Sequence, residues 1–200
     1  MERVLLRDGT EVALRPIREE DKDAVQSAFD RMSEDSRYKR FFTLSPQLSD
    51  RELAYLTEVD HHDHEALVAY LPGTGESLGV SRFVRSKEDP EEAEVATVVV
   101  DDWQSRGIGT LLIDRLSARA REEGIQRFTS ELLASNRRAI DLFRRMGAVR
   151  SESDEPTYTR LTLELAPATG ADEPLTHALR AAARGDLRGG ERPLRPDTDS

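Results

Sequence analysis

Apolar and polar positions change period repeatedly along this chain, and each change marks an element. Val4 to Arg7 and Thr10 to Leu14 alternate on either side of Asp8-Gly9, the two-residue signal of a type I′ hairpin, and Pro16 ends the second strand. Asp21 is placed to cap a helix whose apolar residues, Ala24, Val25, Ala28, Phe29 and Met32, recur at helical spacing. Ser33 to Phe42 reads as a second, short helix, and Ser49-Asp50-Arg51-Glu52 is a capping-box pattern opening a third over Leu53, Leu56 and Val59. Glu65 to Tyr70 and Leu78 to Arg85 are strands around the turn-rich LPGTGES, and an acidic loop, Lys87 to Glu92, follows. Val95 to Val100 is an almost unbroken β-branched run, the pattern of a strand buried on both faces. The period then returns to helical at Ile108, Leu111, Leu112, Leu116 and Ala120, with Gly124 as the C′ stop. Gln126 to Ala134 is a further strand. Ser135 caps a helix carrying Ala139, Ile140, Phe143 and Met146, which Gly147 ends, and Val149 and Tyr158 to Leu165 are the last strand signals. Hairpin, helices, hairpin, then strand–helix–strand–helix–strand predicts an α/β (α+β) fold, a mixed sheet with helices on both faces.

The pattern weakens after Leu165. Residues 1–165 read as one domain and 166–200 as a flexible tail punctuated by Pro167, Pro174, Pro193, Pro196 and glycines, with one candidate short helix at 174–184. Composition narrows the picture further. The chain has no Cys, so disulfide and thiolate chemistry are excluded, which fits a reducing cytoplasm. Its first residues lack the apolar core of a signal peptide, and no apolar run approaches membrane-spanning length. A net charge of −10 argues against nucleic acid as the main partner and is compatible with an amine substrate.

The candidate chemistry concentrates between Glu94 and Gly124. A strand, the polar turn Asp101 to Arg106, and Gly107-Ile108-Gly109-Thr110 opening a helix make an anion site, because the first N–H groups of a helix lack internal partners and the dipole adds positive charge. Arg106 is placed to add a charge-assisted bond. A dinucleotide fingerprint would need a third glycine where Leu112 stands, and would fall in the first βα unit rather than mid-chain. Gln104-Ser105-Arg106-Gly107-Ile108-Gly109 instead resembles the Q/R-x-x-G-x-G/A signature of the GNAT superfamily of acyl-CoA-dependent N-acyltransferases, and the likeness extends over residues 12–165.

That resemblance implies a GNAT fold, acetyl-CoA as co-substrate and no metal. It implies that the pyrophosphate rests on the backbone of Gln104, Ser105, Arg106, Gly107, Ile108, Gly109 and Thr110, that Val98, Val99 and Val100 face the pantetheine arm and thioester, and that Asn136 hydrogen-bonds the cofactor. Glu94, at the head of the central strand, is the candidate general base, with Glu131 on the neighbouring strand as its rival. Where many GNAT enzymes carry a Tyr as general acid, this chain has Phe143, which donates no proton. His61, His62 and His64 read as a surface loop rather than a metal site, with a second base as the alternative. DSRYKRFF, VDHHDHEALVAY and AEVATVVVDDWQSRGIG are similar to segments of the bacterial protein-lysine acetyltransferase-like group. The acceptor this implies is a protein lysine, with the acidic loop Glu88 to Glu92 as an attractor of cations. A small-molecule amine acceptor and a non-catalytic acyl-CoA sensor remain the alternatives.

Overall fold

A computed structural model describes residues 1–41, 47–147, 149–153 and 156–165, so the tail from 166 and the candidate helix at 174–184 lie outside the described residues. Eight strands form one sheet: β1 (Glu2–Leu5), β2 (Glu11–Pro16), β3 (His64–Tyr70), β4 (Ser77–Arg85), β5 (Glu92–Val99), β6 (Arg127–Leu133), β7 (Val149–Glu152) and β8 (Tyr158–Glu164). Their spatial order is β1-β2-β3-β4-β5-β6-β8-β7, antiparallel except for the β5–β6 pair. Five helices accompany them among the described residues: α1 (Lys22–Asp30), α2 (Glu34–Phe41), α3 (Asp50–Thr57), α4 (Ile108–Glu122) and α5 (Arg137–Met146). This is the mixed sheet with helices on both faces that the changes of period predict.

Alternation along each strand builds two cores. On one face Phe83, Ala93, Val95 and Phe128 meet Leu112, Ile113 and Leu116 of α4 and Ile140 and Phe143 of α5. On the other, Ile17, Ala66, Val68 and Val80 form a smaller cluster with Val25 of α1 and Val98 of β5. Removing a fully buried side chain such as Phe128 from water contributes about 1.5–3 kcal/mol, so the larger cluster dominates stability.

Four local expectations change. The β1–β2 connection is not a two-residue turn: Leu6 N–H donates to Thr10 O at 2.8 Å, leaving Arg7, Asp8 and Gly9 as a three-residue loop, which Asp8 stiffens by accepting Thr10 N–H at 3.0 Å. Asp21 does not cap α1 with its side chain, because its carboxylate is taken by Arg15 Nη1 and Nη2 at 2.7 and 2.6 Å and by Arg18 N–H at 2.8 Å. Asn136, not Ser135, caps α5, accepting Ala139 N–H at 3.3 Å. Finally, β5 is buried on one face only, and only at its start, since Glu94 on the opposite face is exposed. Ala93 and Val95 are buried, but Ala96 to Val99 are half-exposed, because the neighbouring strand leaves them. The capping box at Ser49 and Glu52 forms as the sequence spells it.

A buried ion network ties the back of α4 to the sheet. Glu65, only 1% exposed, lies 3.3 Å from Arg119 Nε and 2.7 Å from His61 Nδ1, while Arg119 also pairs with Glu123 and donates to His61 O at 2.7 Å. Removing one partner strands a buried charge, which typically costs 3–5 kcal/mol. Arg119→Met is therefore expected to lower the melting temperature by about 10 °C. Adding Glu65→Leu should recover part of that loss. Thermal melts of the single and double variants check both, and a double variant less stable than Arg119→Met would contradict the assignment.

Candidate active site

The site begins where two strands part. Glu92, Ala93 and Glu94 of β5 pair in parallel with Arg127, Phe128 and Thr129 of β6, and beyond Glu94 no residue of β5 pairs with β6. β5 stays with β4 as far as Val99, and β6 stays with β8 as far as Leu133. Between them opens a cleft of about 1510 Å³, lined by β5 from Glu94 to Val99, by Ser130 to Leu132 of β6, by the turn before α4, by the head of α5 and by the β1–β2 hairpin.

At one end of the cleft the turn presents bare backbone. Gly107 is the N-cap of α4 with φ +96°, and Ser105 also lies in the left-handed region at φ +63°. A non-glycine there costs of order 1 kcal/mol or more, and such strain gathers at ligand-binding turns. Leu111 N–H is the first to reach a helical carbonyl, Gly107 O at 3.0 Å, and the N–H groups of Gly107, Ile108, Gly109 and Thr110 have no acceptor among the described residues. Four unspent donors at the positive end of a helix dipole are suited to bind phosphate oxygens. The two glycines divide the work. A Cβ on Gly107 would meet nothing within 4 Å, so its requirement is the positive φ, whereas a Cβ on Gly109 would stand 3.2 Å from Leu142 Cδ2 and 3.7 Å from Val99 Cγ2. Gly109 thus serves the packing of α4 on α5 and β5, not only access for a ligand.

Side chains around the turn hold it rather than reach into the cleft. Gln104 Nε2 donates to Val99 O at 3.1 Å and to Asp101 Oδ1 at 2.7 Å, and its Oε1 accepts from Arg138. Asp101 in turn accepts Ser33 N–H at 2.7 Å and Ser36 Oγ–H at 2.6 Å, which fastens the start of α2 to the end of β5. Burial opposes ionisation of Asp101, but the Ser36 and Ser33 hydrogen bonds outweigh it and hold the carboxyl below its ordinary range. Arg106 is not the free phosphate ligand that the sequence suggests. Its guanidinium lies 4.0 Å above the Trp103 ring, with Nε–H donated to Asp8 Oδ2 at 2.8 Å and Nη2–H to Thr10 Oγ1 at 2.9 Å. Thr10 N–H and hydroxyl, then Arg106, bring Asp8 down to about 2.

The remaining candidates separate. Val98, Val99, Gln104, Ser105, Arg106, Gly107, Gly109, Thr110 and Asn136 all line the cleft. Val100 does not: it is 2% exposed and its N–H is committed to Leu78 O at 3.0 Å. Ile108 is buried in the core and offers only its amide. The oxygen of Asn136 is occupied in capping α5. Glu94, exposed, stands at the fork. It and Glu131 are the two carboxylates lining the cleft that have no cationic partner among the described residues, whereas Asp8, Asp35, Asp114 and Asp141 each pair with an Arg or Lys. Phe143 is buried in the core cluster and touches the cleft wall. Sequence reasoning finds the hairpin and the helix at Ser33 but not their part in this site, which arises from contacts across the fold and leaves no local signal.

Comparison with known proteins agrees with this geometry. Residues 25–148 match the acetyltransferase (GNAT) family model. The chain belongs to the GNAT acetyltransferase family. It is similar to "Acetyltransferase Pat" of Mycolicibacterium smegmatis, 34% identical over 76% of this chain and 45% of that protein. It is also similar to "Acetyltransferase PA5475" of Pseudomonas aeruginosa, 32% identical over 76% of this chain and 83% of that one. Among solved structures, the GNAT domain of S. lividans PAT superposes with a TM-score of 0.76 at 33% identity, covering 82% of this chain and 96% of that domain. A cAMP-binding acyltransferase from Mycobacterium smegmatis gives 0.63 at 30% identity, with 53% of its length covered. The chain therefore spans about half the length of some relatives and most of others.

In this GNAT chain the histidine loop stands apart from the chemistry, since His61, His62 and His64 do not line the cleft. His61 and His62 bond Glu65 and Glu123, and His64 lies within 3.3 Å of Arg82 Nη1 and 5.1 Å from the Tyr55 ring. The acidic loop is not a free attractor of cations either. Arg127 pairs with Asp89 at 2.5 Å, Arg160 with Glu92 at 3.0 Å, and Gln126 holds Glu91 at 2.7 Å. Burial, followed by the charge of Arg82, pushes the His64 imidazole down to about 4. A histidine kept neutral in the fold but protonated when unfolded contributes stability that is fully present above its unfolded value, roughly 6.5, and is lost as pH falls towards 4. Melting temperature should rise between pH 4 and 6.5, with a shallower slope in His64→Asn. Identical slopes would exclude His64 as the source.

Proposed function

We propose that this chain is an acetyl-CoA-dependent N-acetyltransferase whose acceptor is a protein lysine and whose general base is Glu94. The observation that carries the reading is Glu94 itself, an unpaired carboxylate at the point where β5 leaves β6, in the same cleft as the free amides of α4. The relatives named as acetyltransferases and the match to the S. lividans PAT domain support it.

In this reading the pyrophosphate of acetyl-CoA lies on the N–H groups of residues 107–110, where backbone donors bind it without needing Arg106. The pantetheine arm runs along the β5 edge that β6 has vacated, adding main-chain hydrogen bonds as an extra strand would. The acceptor enters as an ammonium ion. Glu94 takes its proton, directly or through water, and the neutral nitrogen attacks the thioester carbonyl. The tetrahedral intermediate loses its second N–H proton to solvent as it collapses, the C–S bond breaks, and CoA leaves as a thiolate that takes a proton from solvent, since Phe143 has none to give. Val99 O is already spent on Gln104, which keeps the strand end rigid while the ligand is held.

Two variants test the assignment. Glu94→Gln keeps the shape and removes the base, so acetyl-CoA affinity by calorimetry should be nearly unchanged while turnover at neutral pH falls by about 10²–10⁴-fold. The deficit should shrink as pH approaches the amine's own pKa, about 10.4. Full activity of Glu94→Gln, with loss in Glu131→Gln, would transfer the role to Glu131. Gly107→Val, strained at φ +96°, should weaken acetyl-CoA binding at least tenfold in a protein that still melts cooperatively. Assaying CoA release over proteins and small amines then decides the acceptor, and binding without release on every acceptor would favour the sensor.

A further inference from the structure

A second cavity lies behind β5, on the sheet face that carries Glu94. It holds about 40 Å³ and is walled by Val25, Ala28 and Phe29 of α1, Leu56 of α3, and Ala96 and Val98 of β5. Its character is apolar. Arg82 reaches it, but that guanidinium donates to Leu56 O at 2.9 Å, and Ser77, whose hydroxyl has no partner among the described residues, is the polar exception. A cavity lined by Val, Leu and Phe side chains gains little from water and is filled most favourably by carbon.

The cavity belongs beside the reaction centre rather than to a remote packing gap. Met32, Ala96 and Val98 line both it and the cleft, so the two spaces share a wall. Alternation along β5 puts Ala96 and Val98 on the face of Glu94. An acyl group whose carbonyl is attacked beside Glu94 therefore has an apolar recess next to its alkyl end. One water-sized group needs roughly 10–15 Å³ of such space, so the recess takes about three carbons.

We infer that this recess is an acyl-chain subsite, and that the enzyme accepts propionyl and butyryl thioesters as well as acetyl while excluding long fatty acyl chains. The inference rests on the proposed acyl transfer and deepens it. The step is unchanged: the acyl carbon exchanges its bond to sulfur for one to nitrogen, one proton of the ammonium goes to Glu94 and the second to solvent, and CoA leaves as the thiolate, which solvent protonates. The wall at Ala28 sets the chain length, since a larger side chain on α1 would enter the recess without touching the anion site.

The test compares acetyl-, propionyl-, butyryl- and octanoyl-CoA on wild type and Ala28→Leu, with Ala28→Val as the smaller change should Leu prevent folding. Wild type should use propionyl-CoA with a kcat/KM within about tenfold of acetyl-CoA and should not use octanoyl-CoA. One methylene in an apolar pocket is worth about 10–200-fold, so Ala28→Leu should lower the propionyl-to-acetyl ratio at least tenfold and the butyryl ratio further. Refusal of propionyl and butyryl by wild type, or ratios unmoved in a folded variant, would overturn the inference while leaving acetyl transfer intact. Calorimetry with butyryl- and acetyl-CoA, without acceptor, reads the recess independently of turnover. If no thioester is consumed, the proposed activity fails and this measurement alone decides. Selective loss of butyryl-CoA affinity in the variant supports the subsite, and equal loss or none overturns it.

Discussion

Everything at this site depends on a ladder that stops. Three parallel residue pairs join β5 to β6, ending at Glu94 and Thr129, and then the strands follow different partners. An unpaired strand edge inside a protein is costly, because its N–H and C=O groups lose water without gaining each other. The fold tolerates it here because the gap is an open cleft, and the same unpaired groups become binding groups once a linear ligand lies along them. The fork therefore supplies the edge for the ligand, the half-exposed valines beside it and the position of Glu94.

The turn at the end of β5 works by keeping side chains occupied and backbone free. Gln104 is engaged with Val99, Asp101 and Arg138, while Asp101 is engaged with Ser33 and Ser36. Arg106 is engaged with Asp8, Thr10 and Trp103. What remains unpartnered is the row of amides from Gly107 to Thr110. A signature glutamine that looks like a ligand in the sequence is, in the fold, a clamp that fixes the strand end relative to the helix start. Preorganised donors of this kind reorganise little when an anion arrives.

This also explains what the sequence could disclose. The β-branched run, the glycine-containing turn and the helical stripe from Ile108 to Ala120 are local patterns, so the strand–turn–helix unit with its bare helix start is legible, as is the mixed sheet. Asn136 as the true cap of α5, Asp21 bound to Arg15, and Asp8 bound to Arg106 depend on which surfaces meet, and neighbouring residues do not encode that. The burial of β5 was misread for the same reason: a run of valines looks alike whether the next strand stays or leaves. Val100 and Val99 are adjacent and chemically identical, yet one is sealed against β4 and the other faces the cleft.

One cleft has to receive a polyanionic donor and a cationic acceptor in a chain of net charge −10. Arg137, Arg138 and Arg145 of α5 line the same cleft as the helix terminus, while most of its carboxylates are paired. Asp8, Asp35, Asp114 and Asp141 around the cleft are neutralised by neighbouring cations, and the acidic loop is tied to Arg127 and Arg160. Positive potential comes from a helix terminus, which falls off within its first turn, and from those arginines of α5. Negative charge is left unpaired at Glu94 and Glu131, on the two diverging strands. The positive groups and the unpaired carboxylates thus sit on different elements of one cleft, which suits a donor and an acceptor of opposite charge lying side by side.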